Sequence, residues 1–470
     1  MKNMTKRLKD IKEEQIDTIL TELENVNDDQ KMFKAVKKLH QKPYENPTLC
    51  DNKGKIITDP QEIYNMIQKH FKNHFNKENI EEIRTHAEEP KQLKHKITSD
   101  EIKKAVTKMS NQKSPGKDNI PVELLKYAPN IAHEQLSTAI NKTFTLHEPN
   151  DFGTGILFPL PKPNKPKGAV TSLRPIILLE ISRKILSKIL LNRIQPKLES
   201  YLSKSQSAYR KGRSTADIVW AYRWILTKVQ EQDITIFSIG IDMSSAFDTI
   251  WRGKILQIID KLFEEDETRI LRVLLSNTNL EIKIKGAETS PFSSNIGSPQ
   301  GDAISGPLFT IYFEYFLKTL REEIKNLPVN VYDINDKWLE KRQSALPHEF
   351  IYADDFDYLT EDENIKNLVI QNSSKILLSG NLQVNDTKTE IAILKRNNGI
   401  EEWRKVKKVG SLLGDKEDIS NRKRLANLGF NKLERIWLSK TRVSNVRRIK
   451  LYNVLVKSIL LYCTTAVHGG

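Results

Sequence analysis

FSIGIDMSSAFDTI, residues 237–250, and FIYADDFDYLT, residues 350–360, decide the reading of this chain. In the first, the β-branched run Ile234 to Ile241 reads as a strand that hands over to Asp242. In the second, apolar arms flank Ala353-Asp354-Asp355 and read as strand, turn, strand. Carboxylates at the ends of buried strands lose solvation unless something compensates them. A divalent cation is an economical compensation, because hard cations take oxygen ligands. Two such strands opening into one cleft could clamp two metals about 3.5–4 Å apart, a geometry suited to phosphoryl transfer. Taken singly, each aspartate reads equally as a turn residue or an ion-pair partner.

Composition narrows the partners. The chain has 470 residues, 38% of them hydrophobic, enough for a sizeable core and two or three subdomains. Lys and Arg number 75 against 60 Asp and Glu, a net charge of +15, which points to a polyanionic partner, nucleic acid before an anionic membrane. The two cysteines, Cys50 and Cys463, form no CxxC or Cys/His cluster, which argues against a zinc module and fits a reducing compartment. MKNMTKRLKD has no apolar signal region, and runs such as Ile176–Leu179 are too short to span a bilayer. The expected location is intracellular, in nucleus or cytoplasm, with no membrane partner.

Outward from the two acidic motifs, the chain alternates helix and strand signals. Residues 1–45 read as one or two charged surface helices, and DNKGK (51–55) as a hairpin turn. Asp59-Pro60-Gln61-Glu62 opens a helix running to about Phe75. The polar stretch 78–95 reads as a linker. Thr98 and Glu101 have the spacing of a capping box, with Ile97 and Ile102 as its staple. A Pro/Lys loop, PKPNKPKG, precedes a short strand and an amphipathic basic helix over 172–194. Thr310 to Leu320 reads as an aromatic-rich helix. Residues 161–193 carry eight Lys/Arg and one acid, and residues 401–450 fifteen against six, so the excess positive charge sits in two places.

The order IDMSSAFDTI, GSPQGDAISGPLF (297–309), IYADD resembles the A, B and C motifs of reverse transcriptases. KSPGKDNIPVELLKY (113–127), ILFPLPKPNKPKG (156–168), SLRPIILLEISRKILSKILLNRI (172–194), QSAYRKGRSTADIVWAYRWIL (206–226), LQVNDTKTEI (382–391) and VGSLLG (409–414) narrow the resemblance to the non-long-terminal-repeat, LINE-like retrotransposon class. It covers roughly 95 to 465.

The resemblance implies an α+β, right-hand polymerase fold with an antiparallel palm sheet. It implies fingers over 96–235, a palm over 236–395, and a primer-grip hairpin with a partial thumb over 396–470. Residues 1–95 would be an N-terminal helical extension. It implies RNA-directed DNA synthesis from an RNA template, a DNA primer and dNTPs, with two Mg²⁺ ions or, in their place, Mn²⁺. Asp242 and Asp354 would ligate both metals with help from the Met243 carbonyl, and Asp355 would be the peripheral acid. Lys162, Arg174 and Lys388 would meet the triphosphate, the planar fork of Arg174 suiting phosphate best. Phe247 would be the sugar gate, and Gln300 and Gly301 would lie against the incoming nucleotide. Tyr209, Arg210, Lys211 and Arg213 would track a nucleic-acid backbone, and the hairpin from Gly410 to Gly414 would grip the primer.

The chain departs from the family pattern at GDAISGP, where Gly306 precedes Pro307, and at KSPGKDNIP, which lacks a second proline and glycine. The first departure is expected to alter loop stiffness more than chemistry. No endonuclease or Cys/His knuckle is expected in this chain, and the thumb reads as cut short. The rival readings are a decayed RNA-binding remnant, a group II intron maturase and an RNA-directed RNA polymerase. The intact acids oppose the first, the lack of a downstream RNA-binding domain the second, and Phe247 the third.

Overall fold

Antiparallel pairing organises the larger of two units, residues 46–214 and 235–393. The computed structural model describes residues 2–26, 29–39, 46–51, 53–77, 91–146, 152–162, 165–276, 278–299, 301–325, 348–385, 387–396, 402–439 and 442–463. The short strands β1 (Leu49–Cys50) and β2 (Ile56–Ile57) pair around the DNKGK turn, where Asp51 Oδ1 accepts from the Lys53 and Lys55 amides at 2.8 and 2.9 Å. Side-chain acceptance of this kind is what makes Asp a turn former.

Next come β3 (Gly155–Pro161), β4 (Leu173–Leu179), β5 (Ile236–Ile241), β6 (Thr278–Ile282), β7 (Phe292–Ser294), β8 (Glu349–Tyr352), β9 (Asp355–Thr360) and β10 (Glu390–Leu394). They form two four-stranded sheets, ordered β4-β3-β6-β7 and β10-β5-β9-β8. Proline is tolerated in the first because β4 is an edge strand, and because β6 pairs with β3 only from Gly155 to Leu157. Pro159 therefore owes no amide to a second neighbour. The helix Pro60–Phe75 covers this sheet with Ile63, Tyr64, Ile67, Phe71 and Phe75, all buried. Its start is as read, with Asp59 accepting from the Glu62 amide at 2.8 Å. Thr98 and Glu101 likewise close a reciprocal capping box on the helix Ser99–Thr107.

In the second sheet, Ile241 lies opposite Phe356 across β5 and β9, and Tyr352 opposite Asp355 across β8 and β9. The helix Ser305–Lys325 buries Phe309, Tyr312, Phe313 and Phe316, and Phe313 meets Phe356 edge-on at 6.1 Å.

Two readings are corrected. The basic helix, observed as Ile181–Tyr201, is a core element rather than an amphipathic one: Arg183 and Ser187 are fully buried along with Ile185, Leu186 and Ile189. Arg183 can enter the core because it pairs with Asp302 at 2.8 Å and donates to the carbonyl oxygen of Leu274 at 2.6 Å. The 78–95 linker ends earlier than expected; Leu93 is buried, and the His95 amide donates to Asp266 at 2.7 Å. Residues 78–90 lie outside the described residues.

The smaller unit gathers residues 1–45, 215–234 and 394–470. The helices Lys2–Asn25 and Asp29–Lys38 bury Leu20, Leu23, Met32, Ala35 and Val36 against Leu433, Ile436 and Leu451. The hairpin β11 (Lys407–Lys408) and β12 (Ser411–Leu412) turns through Val409 and Gly410, both at positive φ. Two positive φ values in a two-residue loop are what a twisted hairpin demands. Tyr462 donates to the Val409 carbonyl oxygen at 2.9 Å, and Gly414 caps the helix Asp415–Asn431. Arg223 ties the helix Thr215–Gln232 to the carbonyl oxygens of Leu412 and Leu413 and to Asp415. Among the described residues no helix is long and apolar enough to cross a membrane.

Candidate active site

Asp242 follows the last residue of β5, and its carbonyl oxygen accepts from the Asn385 amide at 2.8 Å. Asp354 occupies the tight turn between β8 and β9, next to Ala353 at φ 57. A non-glycine residue held at positive φ is strained, and such strain persists where the surroundings over-determine it. Here the surroundings are Gln206, nearly fully buried, whose Oε1 accepts from the amides of Ala353 (3.2 Å) and Ala208 (2.9 Å). The Ser207 amide donates to the Ile351 carbonyl oxygen at 2.9 Å, and the Ile351 amide to that of Ser205 at 3.1 Å. The QSAYR segment is thus laced to the acidic turn, an arrangement its sequence did not announce.

The two acids sense each other. Burial pushes the Asp354 carboxyl above the usual carboxylate range; its own backbone N–H opposes that, and the negative charge of Asp242 adds to it. Lys388 answers this excess of negative charge, its Nζ lying 2.9 Å from Asp242 Oδ2. Asp355 starts β9 and is exposed, and continuing the β5–β9 register places it across from Asp242. Among the described residues, no group of three or more His, Cys, Asp or Glu side chains converges closely enough to hold a metal. The fit to a divalent cation therefore rests on Asp242 and Asp354, two mutually repelling carboxylates with an ammonium already drawn to them.

Beside them opens a cavity of about 910 Å³, which Asp354 lines. Lys162, Arg174, Phe247 and Gly301 line it, as read from the sequence. Tyr209 lines it too, although it was expected on a nucleic-acid track. Phe247 meets Tyr209 edge-on (6.3 Å), so two rings bound one side of the cavity, and Phe309, buried behind, stacks on Phe247 (centroids 4.3 Å). Gly301 is at φ 123, and a Cβ there would lie 2.6 Å from the Ile177 carbonyl oxygen. Gln300 lies outside the described residues.

Other expected residues have further ties or stand apart from the cavity. Met243 is buried and bridges to Val384. Arg210 is turned inward onto Glu199 (2.7 Å) and the carbonyl oxygens of Ser203 and Gln206, which removes it from an exposed backbone track; Lys211 and Arg213 stay exposed. Of the eight cations in 161–193, Arg183 is buried and Arg193 is bound to Glu101, so fewer face solvent than the sequence count implied. Gly410 and Gly414 belong to the smaller unit. Sequence reasoning passed over His70, His74 and Asp248, which also line the cavity; the i, i+4 spacing of the two histidines on one helix was the available signal.

Gly306 has a definite job. A Cβ on it would collide with the ring of Tyr209, so the departure from family pattern makes room for an aromatic on the cavity wall. Gly306→Ala is expected to displace Tyr209 and raise the nucleotide KM with little loss of folded protein. Adding Tyr209→Ala should remove most of that penalty, a coupling of about 0.5–3 kcal/mol between contacting residues. Additive effects in the double mutant would refute the contact.

A family model described as "Reverse transcriptase (RNA-dependent DNA polymerase)" matches residues 160–431, more than half of the chain and all of the cavity walls except those from Pro60–Phe75. The chain belongs to the reverse transcriptase family. Among curated relatives, it is 24% identical over 294 residues to the probable RNA-directed DNA polymerase from transposon BS of Drosophila melanogaster, covering 60% of this chain and 32% of that protein. It is 21% identical over 316 residues to the RNA-directed DNA polymerase from mobile element jockey of the same organism, covering 64% and 34%. A Xenopus laevis transposon TX1 protein of 149 kDa matches at 25% over 237 residues, covering 50% and 18%. This reverse transcriptase chain thus spans about a third or less of the length of these relatives, all of them from mobile elements, in keeping with the LINE-like resemblance of its motifs. Telomerase from Candida tropicalis is similar at a TM-score of 0.42, with 16% identity over 71% of this chain and 62% of that one, a likeness too loose to add to the fold described above.

Proposed function

We propose that this chain is an RNA-directed DNA polymerase that adds dNTPs to a DNA primer on an RNA template, in the service of a LINE-like retrotransposon. The observation that carries the reading is that Asp354, close enough to Asp242 for the two charges to interact, lines a cavity that also presents Lys162, Arg174 and Phe247. The β10-β5-β9-β8 sheet would be the palm, the elements before it the fingers, and the hairpin Lys407–Leu412 with the helices after it a primer grip and thumb elements.

In the reaction the primer 3′-oxygen attacks the α-phosphorus, a new P–O bond forms, and the bond to the β-phosphate breaks to release pyrophosphate. Arg174 and Lys162 hold the triphosphate; burial and the nearby Arg174, Lys165 and Lys388 charges, opposed by Asp248, hold the Lys162 ammonium below the usual lysine range, a strain that a bound polyanion relieves. Asp242 and Asp354 would hold divalent metal, Mg²⁺ or Mn²⁺, with Asp355 nearby. When bound, the metal supplies charge neutralisation at the triphosphate and acidifies the primer hydroxyl. Phe247, backed by Phe309, fixes the sugar against the cavity wall.

Primer extension on poly(rA)/oligo(dT) with Mg²⁺ tests the reading, and extension that requires both metal and RNA template is the expected result. Binding without extension would favour a decayed RNA-binding remnant. Binding should weaken steeply with salt, as counterion release from the template–primer requires; a flat dependence would count against a basic track.

A further inference from the structure

The helix Pro60–Phe75 lies before the region matched by the family model, yet it sends two histidines into the nucleotide cavity. His70 and His74 are one turn apart, their rings stacked at 6.0 Å. His74 Nε2 lies 3.4 Å from Asp248 Oδ2. His70 makes no hydrogen bond or ion pair among the described residues; its ring contacts are His74 and Phe71. A half-buried imidazole that faces a polar cavity and has no protein hydrogen-bond partner among the described residues is free to meet a ligand there.

The charge around it says which ligand. Facing His70 are His74 from its own helix, Lys162 from the end of β3, Arg174 from β4 and Asp248 from the helix Ala246–Thr249. Asp302, Asp354 and Tyr209 also line the cavity, and Asp302 is already paired with Arg183 at 2.8 Å. Three cationic or protonatable groups therefore crowd one wall with Asp248 as the acid among them. Crowded like charges are costly unless a polyanion answers them.

We propose that His70, backed by His74, is a proton-linked contact for the triphosphate of the incoming nucleotide, joining Lys162 and Arg174. Burial, then His74 and Lys162, hold the free His70 below the usual histidine range. A bound triphosphate reverses the electrostatic part of that balance and raises it. Nucleotide binding then takes up a proton, so the His70 contribution is present at low pH and fades as pH rises through the bound-state value. This deepens the polymerase reading and rests on it for the identity of the ligand.

The test titrates sodium tripolyphosphate into the full chain by calorimetry, without divalent metal, in buffers of differing ionisation enthalpy. His70→Gln is expected to bind about five-fold or more weakly than wild type near pH 6.5, with smaller proton uptake, and the two should converge by about pH 8.5. Titration of the ligand itself is common to both proteins and cancels in the ratio. His70→Lys, a permanent cation, should keep the affinity and lose the proton uptake, which guards against misfolding of the Gln variant. A wild type that ignores tripolyphosphate, or a His70→Gln/wild-type ratio independent of pH, overturns the inference. Primer extension run in parallel separates the two ideas. Extension with an unchanged dTTP KM in His70→Gln removes the histidine contact alone, whereas proton-linked tripolyphosphate binding without extension removes the polymerase reading alone.

Discussion

Asp354→Asn should abolish primer extension and, at the same time, raise the melting temperature of the metal-free protein. The two effects share one cause. Burial and the charge of Asp242 raise the Asp354 carboxyl above its ordinary 3.8. Between 3.8 and that higher value the folded state binds more protons than the unfolded one, so stability falls as pH rises through this window. Above that raised value the ionised Asp354 is therefore a standing cost to the fold. Asn keeps the shape and cannot ionise, so it relieves the cost; above the window the variant should be more stable, and well below it the difference should vanish. The same substitution removes one of the two carboxylates proposed to hold the metal. Extension should drop by about 10³-fold, the scale seen when one preorganised electrostatic contact to a transition state is lost. Mg²⁺ should raise the melting temperature of the wild type by mass action and that of the variant much less. A variant less stable than wild type above that window, or one still extending primers at more than a tenth of the wild-type rate, would defeat the assignment. Asp355→Asn makes the contrast, because Asp355 is exposed at the start of β9 and should move stability little.

This conflict between stability and chemistry explains what the sequence could and could not reveal. Asp242 and Asp354 were legible because strand ends and turns are local: β-branched runs, an acid, a hairpin arm. The capping box at Thr98 and the helix start at Asp59 were legible for the same reason, since each is settled by four consecutive residues. Arg183 was misread because its charge suggested solvent. Its partner Asp302 is 119 residues away, and only the folded chain can make a buried guanidinium affordable. Gly306 was legible as a departure but not in its meaning, since the ring it makes room for, Tyr209, comes from another segment. His70 and His74 were hidden by the helix that carries them. Its apolar stripe of Ile63, Ile67, Phe71 and Phe75 explains the helix fully, and the cavity on its other flank is built by distant strands.

In the polymerase site proposed above, Phe247→Val should admit ribonucleotides, and the geometry says why the effect should be large. The ring stacks on Phe309, which is fully buried, and meets Tyr209 edge-on, so its room to move aside for a 2′-hydroxyl is restricted on the Phe309 side. A clash against a stiff wall is not relieved by relaxation, so discrimination of about 10²-fold can rest on one ring. Val removes the ring yet remains apolar. Because Phe247 is half-buried, the cost to the fold should be about 1–2 kcal/mol, below that of emptying a core site. The measurement is kcat/KM for dTTP and UTP on poly(rA)/oligo(dT), taken with the melting temperature of each protein. The ratio of the two specificity constants should fall sharply, while dTTP alone changes a few-fold. Phe309→Leu sharpens the argument: Phe309 lies behind Phe247, away from the substrate, and loosening it should let the gate yield partway. Intermediate selectivity in Phe309→Leu and the largest loss in Phe247→Val is the order a gate backed by Phe309 requires. A folded Phe247→Val protein with wild-type selectivity would reduce the ring to packing and reopen synthesis of RNA as the activity of this site.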